Sequence, residues 1–228
     1  MNFDKAYKLV EEQLGDEKSG HSMEHINSVI RNAKKILKTE SNINEEIVLL
    51  TCLVHDCDDY KIVGLEAASE MKNTKNILSK LNVSLEDEMH VINICKNMGY
   101  SNCLNNIRPK TKEGMIVSDA DMLDAVGSNG ILRTITFALN RGNQIFDECF
   151  FPNINISQDE YKIKNSGRNK DTSVNHFFEK LLLIKDYLMT DTGKEIGVKR
   201  HKVMYDLLDS LFEENDLPEW TALLKNYK

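Results

Sequence analysis

Apolar positions recur with helical spacing along almost the whole chain. In residues 22–38, Ile26, Val29, Ile30 and Ala33 fall on one side of a helix. Comparable patterns predict further helices over residues 2–14, 64–80, 85–97, 110–125, 127–140, 174–189, 194–214 and 218–226, together with one that begins after Asn44. Strand-type alternation never extends beyond a few residues. The pattern therefore predicts an all-α fold.

One long stretch, residues 142–173, is polar and has few helical signals. A loop of this length is usually functional or disordered, so it is predicted to be a lid or an insertion. Its best candidate for a short extended piece is FFPNINIS at 150–157. We expect one domain over 1–228, with a core at 20–140 and a C-terminal helical part at 174–228 that packs back on it.

Composition narrows the classes of function. The formal net charge of -7 disfavours nucleic acid as a partner, because phosphate backbones require clustered Lys and Arg. No apolar run is long enough for a membrane span, and the acidic N-terminus has no signal peptide. The five cysteines are odd in number and form no C-x-x-C, which favours buried thiols in a reducing compartment. We expect a cytoplasmic protein, monomeric or homodimeric.

Two histidines open the second helical pattern. His21 and His25 are four residues apart, so on a helix they would share a face. A lone histidine there would be an ordinary surface residue, whereas two at this spacing favour a site.

A histidine and an aspartate end the apolar run IVLLTCLV. Burying His55 and Asp56 is costly unless both groups are engaged, and a carboxylate in the last turn is repelled by the helix dipole. Asp58, Asp59 and Lys61 follow directly. This cluster predicts a nearby cation, with full solvation as the alternative.

Three more carboxylates occur in DADMLDA, at Asp119, Asp121 and Asp124. Among Met, Leu, Ala and Val they do not fit a solvated face, and a bound cation would relieve their repulsion. Spacing alone does not choose among them. Mixed imidazole and carboxylate ligands suit Mn, Fe, Zn, Ni or Co better than Ca or Mg alone.

Taken in order, His25, the pair His55-Asp56 and Asp121 resemble the H…HD…D signature of the HD-domain metal-dependent phosphohydrolase superfamily. The first histidine of that signature usually opens an H-x-x-R-V motif. Here the motif is HINSV, with Ser28 at the arginine position, and this context selects His25 rather than His21. The family register likewise selects Asp121 from the three aspartates.

Within the superfamily, the chain is similar to bacterial nucleotide pyrophosphohydrolases. The similarity rests on HSMEH, LVHDCDDYK, IVSDADMLDAVGSNGILR and NHFFEKLLLIKDYLMTDTGKEIGVKR, which lie between residues 21 and 200. It implies an HD-domain helical bundle with one divalent metal ion held by His25, His55, Asp56 and Asp121. The expected ion is Mn, and the alternatives are Mg, Co, Ni, Fe and Zn. It also implies hydrolysis of a nucleoside triphosphate to monophosphate and pyrophosphate.

The resemblance also suggests which residues act on the substrate. Asp59 is the candidate general acid/base, Lys61 a phosphate-holding cation, and His21 a contact to the leaving group or to a bound water. Weaker candidates for phosphate binding, for which a surface salt bridge is the simpler interpretation, are Arg133, Lys180 and Arg200.

Three alternatives stay open. Within the same chemistry, the chain would be a nucleoside 5′-monophosphatase or an alarmone hydrolase. A second alternative is a non-catalytic metal- or nucleotide-sensing HD module. A third, a di-iron oxygenase, needs additional histidine ligands, and the segment NICKNMGYSN lacks one.

Overall fold

The computed structural model describes residues 2–15, 22–154, 160 and 172–228, leaving out the side chains at 61 and 65. Within these residues the chain is helical and forms no strand, which confirms the all-α prediction. The α-helices are α1 Phe3–Leu14, α2 Met23–Leu37, α3 Glu45–Val54, α4 Tyr60–Val63, α5 Leu65–Glu70, α6 Lys72–Lys80, α7 Leu85–Asn97, α8 Tyr100–Cys103, α9 Lys112–Asp124, α10 Gly127–Asn140, α11 Ser173–Glu179, α12 Ile184–Tyr187, α13 Asp191–Glu214 and α14 Pro218–Leu224. Short 3₁₀ turns cover Leu181–Leu183 and Lys225–Tyr227.

Side-chain caps explain where several helices begin. Asn44 accepts a hydrogen bond from the backbone N–H of Ile47 at 3.3 Å, and Ser84 accepts one from that of Asp87 at 3.1 Å. Each cap satisfies an N–H that has no partner inside its helix. Both starts were predicted from the sequence.

Helix α9 lies at the centre of the molecule and is buried on most of its surface. It packs along α2 and also contacts α3 and α13. The Asn32 side chain donates to the carbonyl of Ala120 at 3.0 Å, which ties α2 to α9. Helices α2, α3 and α9 are the three that carry the predicted metal ligands.

Two predicted helices are interrupted. The pattern at 64–80 is divided at Met71, whose φ of 54° places it in the left-handed region. The Asp58 carboxylate accepts the N–H groups of Asn73 at 3.0 Å and Thr74 at 2.7 Å, so it stabilises a new helix start directly after the break. The pattern at 174–189 likewise divides into α11, a 3₁₀ turn and α12.

The described part of the polar stretch 142–173 packs on an aromatic cluster. Phe151 stacks on Trp220 with ring centroids 4.6 Å apart, and the Trp220 indole donates to the carbonyl of Glu148 at 3.0 Å. Gln144 and Thr172 form an isolated parallel bridge. Residues 150–154 form no strand, whereas 155–159 and 161–171 lie outside the described residues, so the lid stays a prediction.

One hydrophobic cluster includes residues from α1 through α14. It joins the predicted core at 20–140 to the C-terminal helices, and the single domain over 1–228 stays a prediction. Among the described helices, none has both the length and the apolar character that a membrane crossing requires.

Candidate metal centre

The pair His55-Asp56 lies where α3 ends. Residues 47–54 of this helix are largely buried, so it delivers both side chains into the interior. Nδ1 of His55 lies 2.9 Å from the carbonyl oxygen of Cys52. A carbonyl only accepts, so Nδ1 carries the proton and Nε2 keeps its lone pair.

His25 reaches the same point from the first turn of α2. Its Nε2 lies 3.3 Å from Nε2 of His55 and 3.3 Å from Oδ2 of Asp56. Its other ring nitrogen, Nδ1, lies 2.7 Å from Oδ2 of Asp124. The carboxylate fixes the proton on Nδ1, so the Nε2 lone pair of His25 also points at the cluster.

Asp121 completes the cluster from α9. Its Oδ1 lies 3.4 Å from Nε2 of His25 and 3.8 Å from Nε2 of His55. The ligand atoms of His25, His55 and Asp56 all lie within 4.8 Å of one another. The structure therefore brings together the four residues that the sequence predicted as ligands.

The donor set fits a divalent cation. Ligands about 2.0–2.2 Å from one metal are about 3–3.5 Å apart when they are neighbours, and the measured separations of 3.3 to 3.8 Å are close to this range. When both imidazoles are neutral, two nitrogen lone pairs and two carboxylate oxygens face one another with no proton among them. A single cation would satisfy all four.

The electrostatics favour positive charge at this point. Burial lowers the pKa of His25, but hydrogen bonds to Asp121, Asp124 and Asp56 outweigh it and hold the pKa well above its usual value. For Asp121, burial raises the pKa, but the hydrogen bond from His25 and the nearby His55 outweigh this and the net pKa is lowered. The carboxylates thus create a field that would stabilise a bound cation.

Asp124 has a role that the sequence did not assign. Its buried Oδ2 accepts from His25 and forms an ion pair with Arg133 of α10, while Ser28 also hydrogen-bonds to this carboxylate. Burial raises the pKa of Asp124, but His25 and Arg133 outweigh burial and the net pKa is lowered. The cation that faces this carboxylate therefore comes from α10, and a hydroxyl occupies the family's arginine position.

Asp119 also lies in DADMLDA but points away from the cluster. It accepts hydrogen bonds from the N–H of Met189 at 2.9 Å, the N–H of Thr190 at 2.7 Å and the Thr190 hydroxyl at 2.7 Å. These contacts join α9 to the start of α13. Burial raises the pKa of Asp119 despite these donors. Its role in the structure is to join these elements.

The three predicted phosphate-binding cations lie in different settings. Arg133 forms an ion pair with Asp124 beside the metal centre, and 40% of its side chain is exposed. Arg200 donates to the carbonyl of Leu123 and, at 2.9 Å, to the Asn32 side chain, contacts that make it a link between helices. The Lys180 amine lies 5.6 Å from the ring centroid of Tyr100. Substrate binding by these residues stays a prediction.

The predicted catalytic residues are only partly described. Asp59 is half-buried and follows Asp56 by three residues, and its carbonyl accepts from Ile62 and Val63 at the start of α4. His21 lies outside the described residues, as does the side chain of Lys61. Their roles stay predictions.

All five cysteines are free thiols. Burial raises the pKa of Cys95 to about 12, with a further contribution from Asp56, and burial also raises that of Cys52. Protonated thiols are poor metal ligands. Cys52, Cys57 and Cys103 are buried, as the sequence predicted, whereas Cys95 is partly buried and the prediction of a buried thiol is wrong for Cys149, which is exposed.

Comparison with known proteins shows that the chain is similar to a Bacillus protein of known structure. It is 30% identical over 210 residues to the uncharacterised protein YpgQ of Bacillus subtilis, covering 92% of this chain and 90% of that protein. A structure of YpgQ in complex with ADP has a TM-score of 0.68 at 28% identity, with 92% of this chain and 96% of that one covered. No protein-family model matches.

Two further solved structures are similar to this chain over nearly its whole length. An HD-superfamily hydrolase from Bacillus thuringiensis is 29% identical with a TM-score of 0.70, covering 93% of this chain and 96% of that one. A protein from Lactobacillus plantarum is 26% identical with a TM-score of 0.77 and 96% of each chain covered. The hydrolase neighbour and the His/Asp cluster support a metal-dependent phosphohydrolase in general. The chain belongs to the family of YpgQ and has the HD-domain fold of the HD-superfamily hydrolases.

Proposed function

We propose that the protein hydrolyses nucleoside triphosphates to nucleoside monophosphate and pyrophosphate. One observation carries the proposal: an oxygen of Asp56 and an oxygen of Asp121 each lie 3.3 to 3.8 Å from Nε2 of both His25 and His55. The complex of the related YpgQ with ADP supports a nucleotide as the ligand class. The residues that would hold the metal are His25, His55, Asp56 and Asp121, and Mn²⁺ is the proposed ion.

A divalent cation bound there would act as a Lewis acid on a phosphoryl oxygen and lower the pKa of water. The chain's own residues prepare this site. The carbonyl of Cys52 and the carboxylate of Asp124 hold the two imidazoles in the tautomer that presents Nε2.

The accessible side of the centre is marked by Asp121. Its side chain is 24% exposed, whereas those of His25, His55 and Asp56 are 3 to 9% exposed. A phosphate would therefore approach past Asp121. Arg133 contacts Asp124 on the Nδ1 side of His25, and because its side chain is 40% exposed we propose that it also neutralises phosphate charge.

Proton transfer is assigned to Asp59. It lies three residues beyond Asp56 and is half-buried, so it remains accessible to a bound substrate. A carboxylate in that position would take a proton from the attacking water or give one to the leaving oxygen. Lys61 and His21 are proposed to assist it, by holding a phosphate and by contacting the leaving group.

We place this reaction in the cytoplasm, in a monomer or homodimer. Five free thiols support a reducing compartment. The oligomeric state is open to measurement by light scattering.

The test is a product analysis. Metal-stripped protein is supplied with Mn²⁺ and incubated with each nucleoside triphosphate, monophosphate and guanosine tetraphosphate, and the products are separated by ion exchange. Monophosphate plus pyrophosphate is expected. Orthophosphate from monophosphates would overturn the proposal in favour of a monophosphatase, and pyrophosphate from the tetraphosphate in favour of an alarmone hydrolase.

Two variants serve as controls. Asp56→Asn should lose both bound Mn²⁺ and turnover, whereas Glu86→Gln removes one exposed carboxylate from α7 and should keep both. A wild type that binds Mn²⁺ and nucleotide without any turnover would instead indicate a sensing module.

A further inference from the structure

A groove with two cations lies beside the loop 107–111, between α7 and α9. It consists of two adjoining cavities of about 250 and about 680 Å³ that share Asn97, Arg108, Pro109 and Lys110. Neither cavity is lined by a residue of the metal centre. The groove has no part in the function proposed above.

The loop that carries the cations is firmly held. Thr111 caps α9 by accepting from the N–H of Gly114 at 3.2 Å, and its hydroxyl lies 3.0 Å from Nε2 of His90. Pro109 is buried and lies against Gly114, where an added β-carbon would collide with the Pro109 ring. The backbone on both sides of Pro109 is thus fixed, and it presents Arg108 and Lys110 to the same groove.

The charge of the groove is not balanced by the protein. Arg108 is positioned by the ring of Tyr187, 5.1 Å away, and donates to the Tyr187 carbonyl at 3.4 Å. Across the described ranges, neither Arg108 nor Lys110 forms an ion pair, and no carboxylate lines the groove. In a chain of net charge -7, two adjacent cations without a carboxylate partner indicate an anionic ligand.

The remaining wall combines amides with apolar side chains. Asn93 and Asn97 stand one turn apart on α7, with Nδ2 of Asn97 2.6 Å from Oδ1 of Asn93. Met115 and Met189 contribute thioethers to the larger cavity. Polarisable sulfur packs well against flat rings, and amides pair with the edges of heterocycles.

The groove is separated from the metal centre. Burial and, secondarily, Asp56 raise the pKa of Cys95, so this thiol is on the side of α7 that faces the metal centre. Asn93 and Asn97 are each two residues from Cys95 and therefore lie on the opposite side of the helix. Met115 precedes Asp121 by six residues, or about 9 Å along α9. A molecule in the groove would thus contact neither His25 nor Asp56.

We propose that this groove is a second binding site, specific for a small phosphorylated ring compound of the nucleoside monophosphate class. Arg108 and Lys110 hold the phosphate, since a guanidinium and an ammonium together provide several donors to phosphate oxygens. The asparagines and methionines hold the ring.

The test measures AMP binding by calorimetry in EDTA, where the metal centre cannot contribute a cation. The full chain should bind one equivalent of AMP, with adenosine and inorganic phosphate each binding at least about tenfold more weakly. Asp56→Ala should leave this binding unchanged, because Asp56 lies outside the groove.

A matched pair of variants locates the site. Lys110→Gln and Lys112→Gln remove the same charge two residues apart, but Lys112 donates to the carbonyl of Ser41 and lies outside the groove. Lys110→Gln and Arg108→Gln should each weaken AMP binding about tenfold or more, and Lys112→Gln less than about twofold. Thermal melting checks that each variant is folded.

Three results would overturn the proposal. These are the absence of saturable AMP binding in EDTA, equal effects of Lys110→Gln and Lys112→Gln, and loss of binding in Asp56→Ala. Because the assay involves no turnover, its outcome is independent of the product analysis that tests the proposed hydrolysis.

Discussion

Nδ1 of His25 lies 2.7 Å from Oδ2 of Asp124, on the side of the imidazole ring opposite the predicted metal. Asp124 thus holds His25 in the orientation that presents Nε2, and Arg133 neutralises the charge of that carboxylate. A carboxylate in this position raises the basicity of a ligating histidine.

Replacement of Asp124 should therefore weaken metal binding without removing a ligand. Asp124→Ala is expected to lower Mn²⁺ affinity about 10- to 100-fold, measured by calorimetry on metal-stripped protein. Asp124→Asn keeps an acceptor oxygen but loses the charge, so its loss should be smaller. If both variants bind Mn²⁺ as the wild type does, Asp124 has no part in orienting His25.

Metal affinity should depend on pH above the usual range of histidine. In the metal-free protein the pKa of His25 is raised by its carboxylate neighbours, so Mn²⁺ must displace a proton even above pH 6.5. Affinity should fall by up to about tenfold per pH unit as pH decreases through the raised pKa. Calorimetry in buffers of different ionisation enthalpy would measure the proton released.

The raised pKa of His25 should make the metal-free protein less stable as pH rises, although metal affinity increases over the same interval. The folded pKa of His25 is above the unfolded value, so its contribution is complete below pH 6.5 and is lost as pH rises through the folded pKa. Metal-free protein should therefore lose stability over that interval. An Mn²⁺ affinity independent of pH would contradict both expectations.

Much of the fold was predictable because local signals agree with packing. Asn44 and Ser84 are capping residues in front of apolar periodic segments, and both helices begin where these residues indicate. The break at Met71 was not predictable, since Met favours helix and nothing in its neighbours marks a left-handed residue. It depends on Asp58, from an earlier element, which caps the following helix.

The four proposed ligands could be chosen from the sequence only with the family resemblance, which selected His25 and Asp121, and the residues that support them could not be predicted. Histidine and aspartate at the end of a buried helix indicate a cation from sequence alone. Asp121 and Asp124, however, are one turn apart on α9, so periodicity places both near the same side. Only the packing of α2 on α9 determines that Asp121 faces Nε2 of His25 and that Asp124 faces Nδ1.

Two adjacent aspartates provide a matched pair for the catalytic proposal. Asp59→Asn should lower kcat by about 10²- to 10⁴-fold, because the general acid/base is lost, while thermal stability is kept. Asp58→Asn should leave kcat near the wild-type value but lower the free energy of unfolding by about 1–2 kcal/mol, because it weakens the cap of α6. Turnover assays and urea denaturation separate these effects. A catalytic loss in Asp58→Asn alone would reverse the assignment.

Asp119 should matter for stability rather than for metal binding. Its buried carboxylate accepts from Met189 and Thr190, so Asp119→Ala leaves those N–H groups without their partner and should cost about 2–4 kcal/mol. Gly193→Ala should also destabilise, because a β-carbon there would overlap with Asp119 and Thr190. Urea denaturation measures both. The structural role of Asp119 would be contradicted if Asp119→Ala lost Mn²⁺ affinity but kept its stability.

Two arginines that looked alike in the sequence should behave differently when replaced. Arg133 is partly exposed beside the centre, so Arg133→Gln should raise KM about tenfold or more if, as proposed, its charge faces the substrate phosphate. Arg200 binds the carbonyl of Leu123 and the side chain of Asn32, so Arg200→Gln should lower the free energy of unfolding by about 1–3 kcal/mol and leave KM near the wild-type value. Steady-state kinetics and urea denaturation of both variants test the contrast. An increase in KM confined to Arg200→Gln would show that the substrate is bound from α13 instead of α10.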